Sequence, residues 1–170
     1  MTLTELNGVS EREFVRVLGG VFEHSPWVAQ ESIRERPFAS LDALHRTMVS
    51  AVERAGEERQ LDLIRAHPDL AGRAAREGFL TADSKQEQAG AGLDRLSEAE
   101  YGRFHALNAA YRARFGFPFI VAVKGRTKER ILEALEARLA NARDTEKERA
   151  LAAGAQIARF RLEALIASES

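Results

Sequence analysis

The chain contains no cysteine, so disulfides, thiolate nucleophiles, zinc–thiolate sites and iron–sulfur clusters are excluded as its chemistry. It has no excess charge of either sign: 25 Lys plus Arg stand against 26 Asp plus Glu, a formal net charge of −1. That balance supplies no general attraction to nucleic acid or to an anionic membrane, and neither is expected as a partner. No stretch approaches the roughly 18 apolar residues of a membrane span. The N-terminal MTLTELNGVSEREFVRVLGG carries acidic residues and no apolar block of secretory type. The C-terminal ASES lacks a Ser-Lys-Leu type of address. These absences lead to the expectation of a cytoplasmic protein.

What is present is helix punctuation. Ser10 with Glu13, Ser97 with Glu100 and Thr145 with Glu148 read as capping boxes, and Ser25 before Pro26 reads as an N-cap with proline at the first helical position. Ser40 precedes a stripe of Leu41, Leu44, Met48 and Val52, and Gly56 reads as its stop. Phe104, Leu107, Tyr111 and Phe115 line another face that Gly116 ends, and Thr127 opens a helix bearing Ile131, Leu135 and Leu139. A last helix carries Leu151, Ile157, Leu162 and Leu165. The pattern predicts an all-α fold, a single compact multi-helix domain over residues 1–170. One stretch departs from it. FGFPFIVAVKG, residues 115–125, is apolar, β-branched and broken by Pro118, and it reads as a buried extended connection near residues 116–125. Its peptide groups need hydrogen-bond partners, some of which a polar ligand could supply.

Two stretches carry candidate chemistry. In RAHPDLAG, residues 65–72, Pro68 disfavours helix at His67 and fixes the imidazole at a helix exit. His-Pro also marks ordinary helix ends, so this octapeptide alone does not decide. In SKQEQAGAGL, residues 84–93, Ser84, Glu87 and Gln88 share one helical face, presenting a hydroxyl, a carboxylate and an amide. A solvated polar face is the competing reading, although the small residues from Ala89 to Gly92 allow close approach to the backbone. No His-x-x-x-His or Glu-x-x-His pair aligns with His67 or Glu87, so no metal is expected. Ser84 lies in no Gly-x-Ser-x-Gly elbow, and there is no phosphate loop or Rossmann fingerprint.

Together, HPDLAG, SKQEQAGAGLDRLS, NAAYRARFGFPFIVAVKGRTKERILEALEARLANARDTE and IARFRL, in order between residues 67 and 162, resemble the 2-oxo-4-hydroxy-4-carboxy-5-ureidoimidazoline (OHCU) decarboxylase family of urate degradation. The resemblance implies an all-helical, cofactor-free, typically homodimeric carboxy-lyase that converts OHCU to (S)-allantoin and carbon dioxide. Its pathway partners would be urate oxidase and hydroxyisourate hydrolase. Carried over by motif, His67 would be the catalytic proton donor, Glu87 would assist the chemistry, and Pro68 would wall the ligand. Ser84, Lys85, Gln86, Glu87 and Gln88 would form a substrate-binding segment. Phe119, Ile120, Val121, Ala122 and Val123 would complete the pocket through backbone contacts, and Arg161 would be directed toward it.

Each residue type suits that reaction. Loss of carbon dioxide leaves an electron pair that the substrate's own carbon–nitrogen double bond can absorb, so the protein must supply orientation and a proton delivered to one face. Histidine titrates near working pH. An ion pair is the competing role for Arg161, and packing is the competing role for the side chains of 119–123. A non-catalytic helical module that binds a purine-derived ureide is the alternative from another class. A related lyase acting on another ureido acid is a third reading.

Overall fold

The computed structural model describes residues 1–72 and 80–167; the C-terminal tripeptide read above for a targeting address lies outside them. Among the described residues the fold is all-α, with nine α-helices, no strand and one isolated parallel bridge, Thr2 to Ala167. No helix among them is long and apolar enough to cross a membrane. The chain divides into two compact units, Met1–Ala66 with Gly154–Ser170, and His67–Ala153.

The first unit contains α1 (Leu3–Gly8), α2 (Glu11–Leu18), α3 (Trp27–Ser32) running into a 3-10 turn (Ile33–Glu35), α4 (Leu41–Arg54) and α5 (Glu57–Arg65). Local caps explain most starts. The Thr2, Ser10 and Ser40 side chains accept from the backbone N–H of Glu5, Glu13 and Ala43, satisfying amides that the helix cannot. Two expectations differ. The Ser25 hydroxyl donates to the Glu23 carbonyl at 2.8 Å, and α3 begins at Trp27, after Pro26, with no side-chain cap. Gly56, with φ +86°, precedes α5 as its N-cap residue, while α4 already ends at Arg54. Leu6, Phe14, Leu44, Met48 and Leu162 are fully buried. His45 Nε2 lies 2.7 Å from the Ala155 carbonyl, tying α4 to the C-terminal part of the last helix.

The second unit contains α6 (Ala82–Gly90), α7 (Glu98–Phe115) and α8 (Lys128–Arg138). The last helix, α9 (Arg143–Leu165), contributes its residues through Ala153 here and those from Gly154 to the first unit. Ser97 and Glu100 form the expected reciprocal capping box, and Gly116, with φ +78°, ends α7 in the left-handed region. Thr145 does not start the last helix. It lies inside α9, whose first turn is held by Glu146, a fully buried carboxylate that accepts from Tyr111 Oη at 2.6 Å, Arg138 Nε at 2.7 Å and Asn141 Nδ2 at 2.9 Å. The predicted stripe on α9 also shifts: Ala150, Ala153, Ala158 and Leu162 are buried, whereas Leu165 is exposed.

The extended segment predicted from Pro118 is present. Residues 117–123 are neither helix nor strand, and all are buried. Tyr111 anchors its start, with its ring centroid 6.1 Å from that of Phe117 and 5.5 Å from that of Phe119, both edge-on.

Burial pushes the Glu146 carboxyl pKa up, but the hydrogen bonds from Tyr111, Asn141 and Arg138 outweigh it and hold the group below its ordinary value. A depressed folded-state pKa contributes stability above the ordinary carboxylate range and loses it as pH falls through the depressed value. Glu146→Gln should therefore cost about 3 kcal/mol at neutral pH, and its deficit relative to the parent should narrow as pH falls. Urea titrations of both proteins across that range check this. A deficit unchanged by pH would show that Glu146 does not act as an ion.

Candidate functional site

α5 ends at Arg65, and His67 stands just beyond it, 7% exposed, with Pro68 half-buried beside it. Proline blocks continuation of the helix, and the chain enters an irregular loop whose peptide groups must bond elsewhere. Side chains of the same unit do this. Gln88 Oε1 accepts from the Ala71 N–H at 2.9 Å, and its Nε2 lies 3.5 Å from the Asp69 carbonyl. Asn108 Nδ2 donates to the Leu70 carbonyl at 2.9 Å, and Arg112 Nε to Asp69 Oδ1 at 2.8 Å. Under these clamps Ala71 adopts φ +51°, a left-handed conformation that costs a non-glycine residue of order 1 kcal/mol. Gly72 has no room for a side chain: a Cβ there would meet the Asp69 Cβ at 2.7 Å. The loop after His67 is thus over-determined, which is what a fixed imidazole requires.

The face read on α6 is real. Thr81 caps the helix, its hydroxyl accepting from the Ser84 N–H at 3.2 Å. Ser84 and Gln88 are buried, Glu87 is half-buried, and Lys85 and Gln86 project from the exposed side. Three of the five residues in this segment therefore share an inward face, and Gln88 links that face directly to the loop of His67.

Phe119, Ile120, Val121, Ala122 and Val123 are each at most 7% exposed. The Ile120 carbonyl accepts from Arg138 Nη1 at 3.0 Å, and the Val123 carbonyl from the Arg126 N–H at 2.9 Å. Among the described residues, the other peptide groups of 119–122 have no hydrogen-bond partner within the chain. Unpaired peptide groups in a buried stretch are uncommon and form a ready set of donors and acceptors for a planar polar ligand.

Arg161 lies in the first unit and is 6% exposed. Its Nη2 pairs with Glu23 Oε2 at 2.8 Å, and its Nη1 donates to the Gly20 carbonyl at 3.0 Å. The other candidate residues all belong to the second unit, whereas Arg161 pairs with Glu23 in the first.

Sequence reasoning missed Asn108, Arg112, Glu23, Arg138 and Glu146. For Asn108 a signal existed: it stands between Phe104 and Tyr111 at helical spacing, a polar residue on an apolar stripe, and it rather than Leu107 is buried there. The rest depend on partners distant in sequence. Among the described residues, no group of three or more His, Cys, Asp or Glu could hold a metal ion.

A family model described as OHCU decarboxylase matches residues 7–163. The 2-oxo-4-hydroxy-4-carboxy-5-ureidoimidazoline decarboxylase of Halalkalicoccus jeotgali is 44% identical over 165 residues, covering 97% of this chain and 92% of that protein. The uric acid degradation bifunctional protein PucL of Bacillus subtilis is 47% identical over 165 residues, 97% of this chain and 33% of that longer protein. Among solved structures, a crystal structure of (S)-allantoin synthase superposes with a TM-score of 0.80 at 31% identity, covering 99% of this chain and 54% of that one.

Asn108→Leu keeps the volume of the side chain but leaves the buried Leu70 carbonyl without its donor. It should cost about 1–3 kcal/mol by chemical denaturation and displace the ring resonances of His67 in NMR spectra while those of His24 and His45 stay in place. Unmoved His67 resonances would show that the clamp does not govern the imidazole.

Proposed function

The chain belongs to the OHCU decarboxylase family, and from that membership we infer that it decarboxylates OHCU to allantoin in urate degradation. The observation that best supports a site in the second unit is the pairing of two features there: a buried histidine before a clamped loop, and a buried extended backbone several of whose peptide groups have no partner among the described residues.

In our reading the substrate's ureide atoms meet the peptide groups of 119–123 and the hydroxyl of Ser84, with Pro68 closing one side. Glu87 orients the substrate hydroxyl or tunes the imidazole. As the carbon–carboxylate bond breaks, carbon dioxide departs and its bonding pair moves into the substrate's adjacent carbon–nitrogen double bond. His67 then delivers a proton to one face of the planar intermediate, which makes the product (S)-allantoin. Gln88 holds the loop that carries His67. Lys85 and Gln86, on the exposed side of α6, have no side-chain role in this scheme. For Arg161 we favour its pairing with Glu23, because a guanidinium already neutralised by a buried carboxylate does not hold the leaving carboxylate tightly, and tight ground-state binding would oppose its departure.

The family match runs through both units without a break, which supports the single-domain reading of 1–170. We place the protein in the cytoplasm as a homodimer, acting after urate oxidase and hydroxyisourate hydrolase.

The test follows carbon dioxide release from OHCU generated in situ from urate by those two enzymes. The intact protein should accelerate release, His67→Asn should lose at least about a hundredfold in rate while keeping its far-UV spectrum, and Glu87→Gln should fall by an intermediate factor. No acceleration by the intact protein would defeat the reading, and a near-normal His67→Asn would defeat the assignment of the proton donor.

A further inference from the structure

We propose that Arg138 is a positioning residue for this site: its guanidinium holds the extended Phe119–Val123 backbone in the geometry that leaves its neighbouring peptide groups open to substrate. The inference rests on the decarboxylase reading and adds to it a residue to which the family resemblance assigned no role.

Arg138 lies on α8, 9% exposed, and each side of its planar fork has a different task. Nε donates to Glu146 Oε1 at 2.7 Å, which matches its charge. Nη1 donates to the Ile120 carbonyl at 3.0 Å, and the guanidinium carbon sits 4.6 Å from the centroid of the Phe119 ring. Two successive residues of the extended segment are therefore gripped, one by its carbonyl and the other by its ring. Glu146 is itself fixed by Tyr111 and Asn141, so the fork is aimed by a rigid base. Nη2 is buried and has no hydrogen-bond partner among the described residues.

If neutralising Glu146 were the whole role, an ammonium would serve, or the group could be exchanged for apolar residues of similar size without functional loss. The planar fork joins the carboxylate and the Ile120 carbonyl through two nitrogens held at a fixed separation, which an ammonium cannot reproduce. That carbonyl sits within the run 119–122, whose remaining peptide groups are unpaired among the described residues, so turning it toward Arg138 also fixes the direction in which its neighbours point.

Two variants separate the roles. Arg138→Lys keeps the charge, and the combined Tyr111→Phe, Arg138→Met, Glu146→Leu variant removes the buried polar cluster as a unit, a type of exchange that need not destabilise a fold. Steady-state kinetics would use OHCU formed in situ from urate, with thermal unfolding and hydrogen exchange of the 119–123 amides measured in parallel. The expected result is a KM raised about tenfold in whichever variant folds, as for loss of one fixed hydrogen bond, with a smaller change in kcat and faster amide exchange across 119–123. Turnover by the intact protein together with KM and exchange unchanged in a folded variant would overturn the inference alone. No turnover by the intact protein would overturn the reading beneath it and the inference with it.

Discussion

An extended apolar backbone buried in a helical unit is a constraint that must be met from outside the segment, because it lies in no helix and pairs with no strand. Residues 117–123 meet it in two ways. Aromatic contact with Tyr111 and the fork of Arg138 fix the chain, while several peptide groups of 119–122 have no partner among the described residues. The first secures the segment without a β-sheet, and the second is what makes it useful. A buried carboxylate and guanidinium would be costly if either stood alone, so Glu146 and Arg138 are conditional on each other and on Tyr111.

The loop after His67 obeys the same logic. A proline ends the helical pattern, and the exposed peptide groups are satisfied by side chains of α6 and α7 rather than by more backbone. The clamps hold Ala71 in a left-handed conformation, so the loop that follows His67 is set by several partners at once. An imidazole that must deliver a proton to one face of a planar intermediate needs such fixation, since a mobile donor would reach both faces.

Local physics was legible in the sequence and tertiary pairing was not. Ser40, Ser97 and Thr127 cap helices as read because a cap is settled within one turn. Thr145 misled for the converse reason, because the first turn of α9 is set by Glu146 and its distant partners; Ser25 misled locally, its hydroxyl bonding the Glu23 carbonyl while α3 starts only after Pro26. The break at Pro118 announced the extended segment, but nothing nearby announced Arg138. The periodicity of α6 separated Ser84, Glu87 and Gln88 from Lys85 and Gln86, yet it could not say that Gln88 reaches the backbone at Ala71. Arg161 entered through family resemblance, and its pairing with Glu23 emerges only in the folded chain.

The central claim is that a fixed donor protonates one face of a planar intermediate left by loss of carbon dioxide. The most direct measurement is the circular dichroism of allantoin formed from urate by urate oxidase and hydroxyisourate hydrolase, with and without this protein. Unassisted decay exposes both faces to solvent and should give a racemate with no signal. The account predicts the rapid appearance of a signal of the (S)-enantiomer when the protein is present. Racemic allantoin, formed at the same rate with or without the protein, would contradict it.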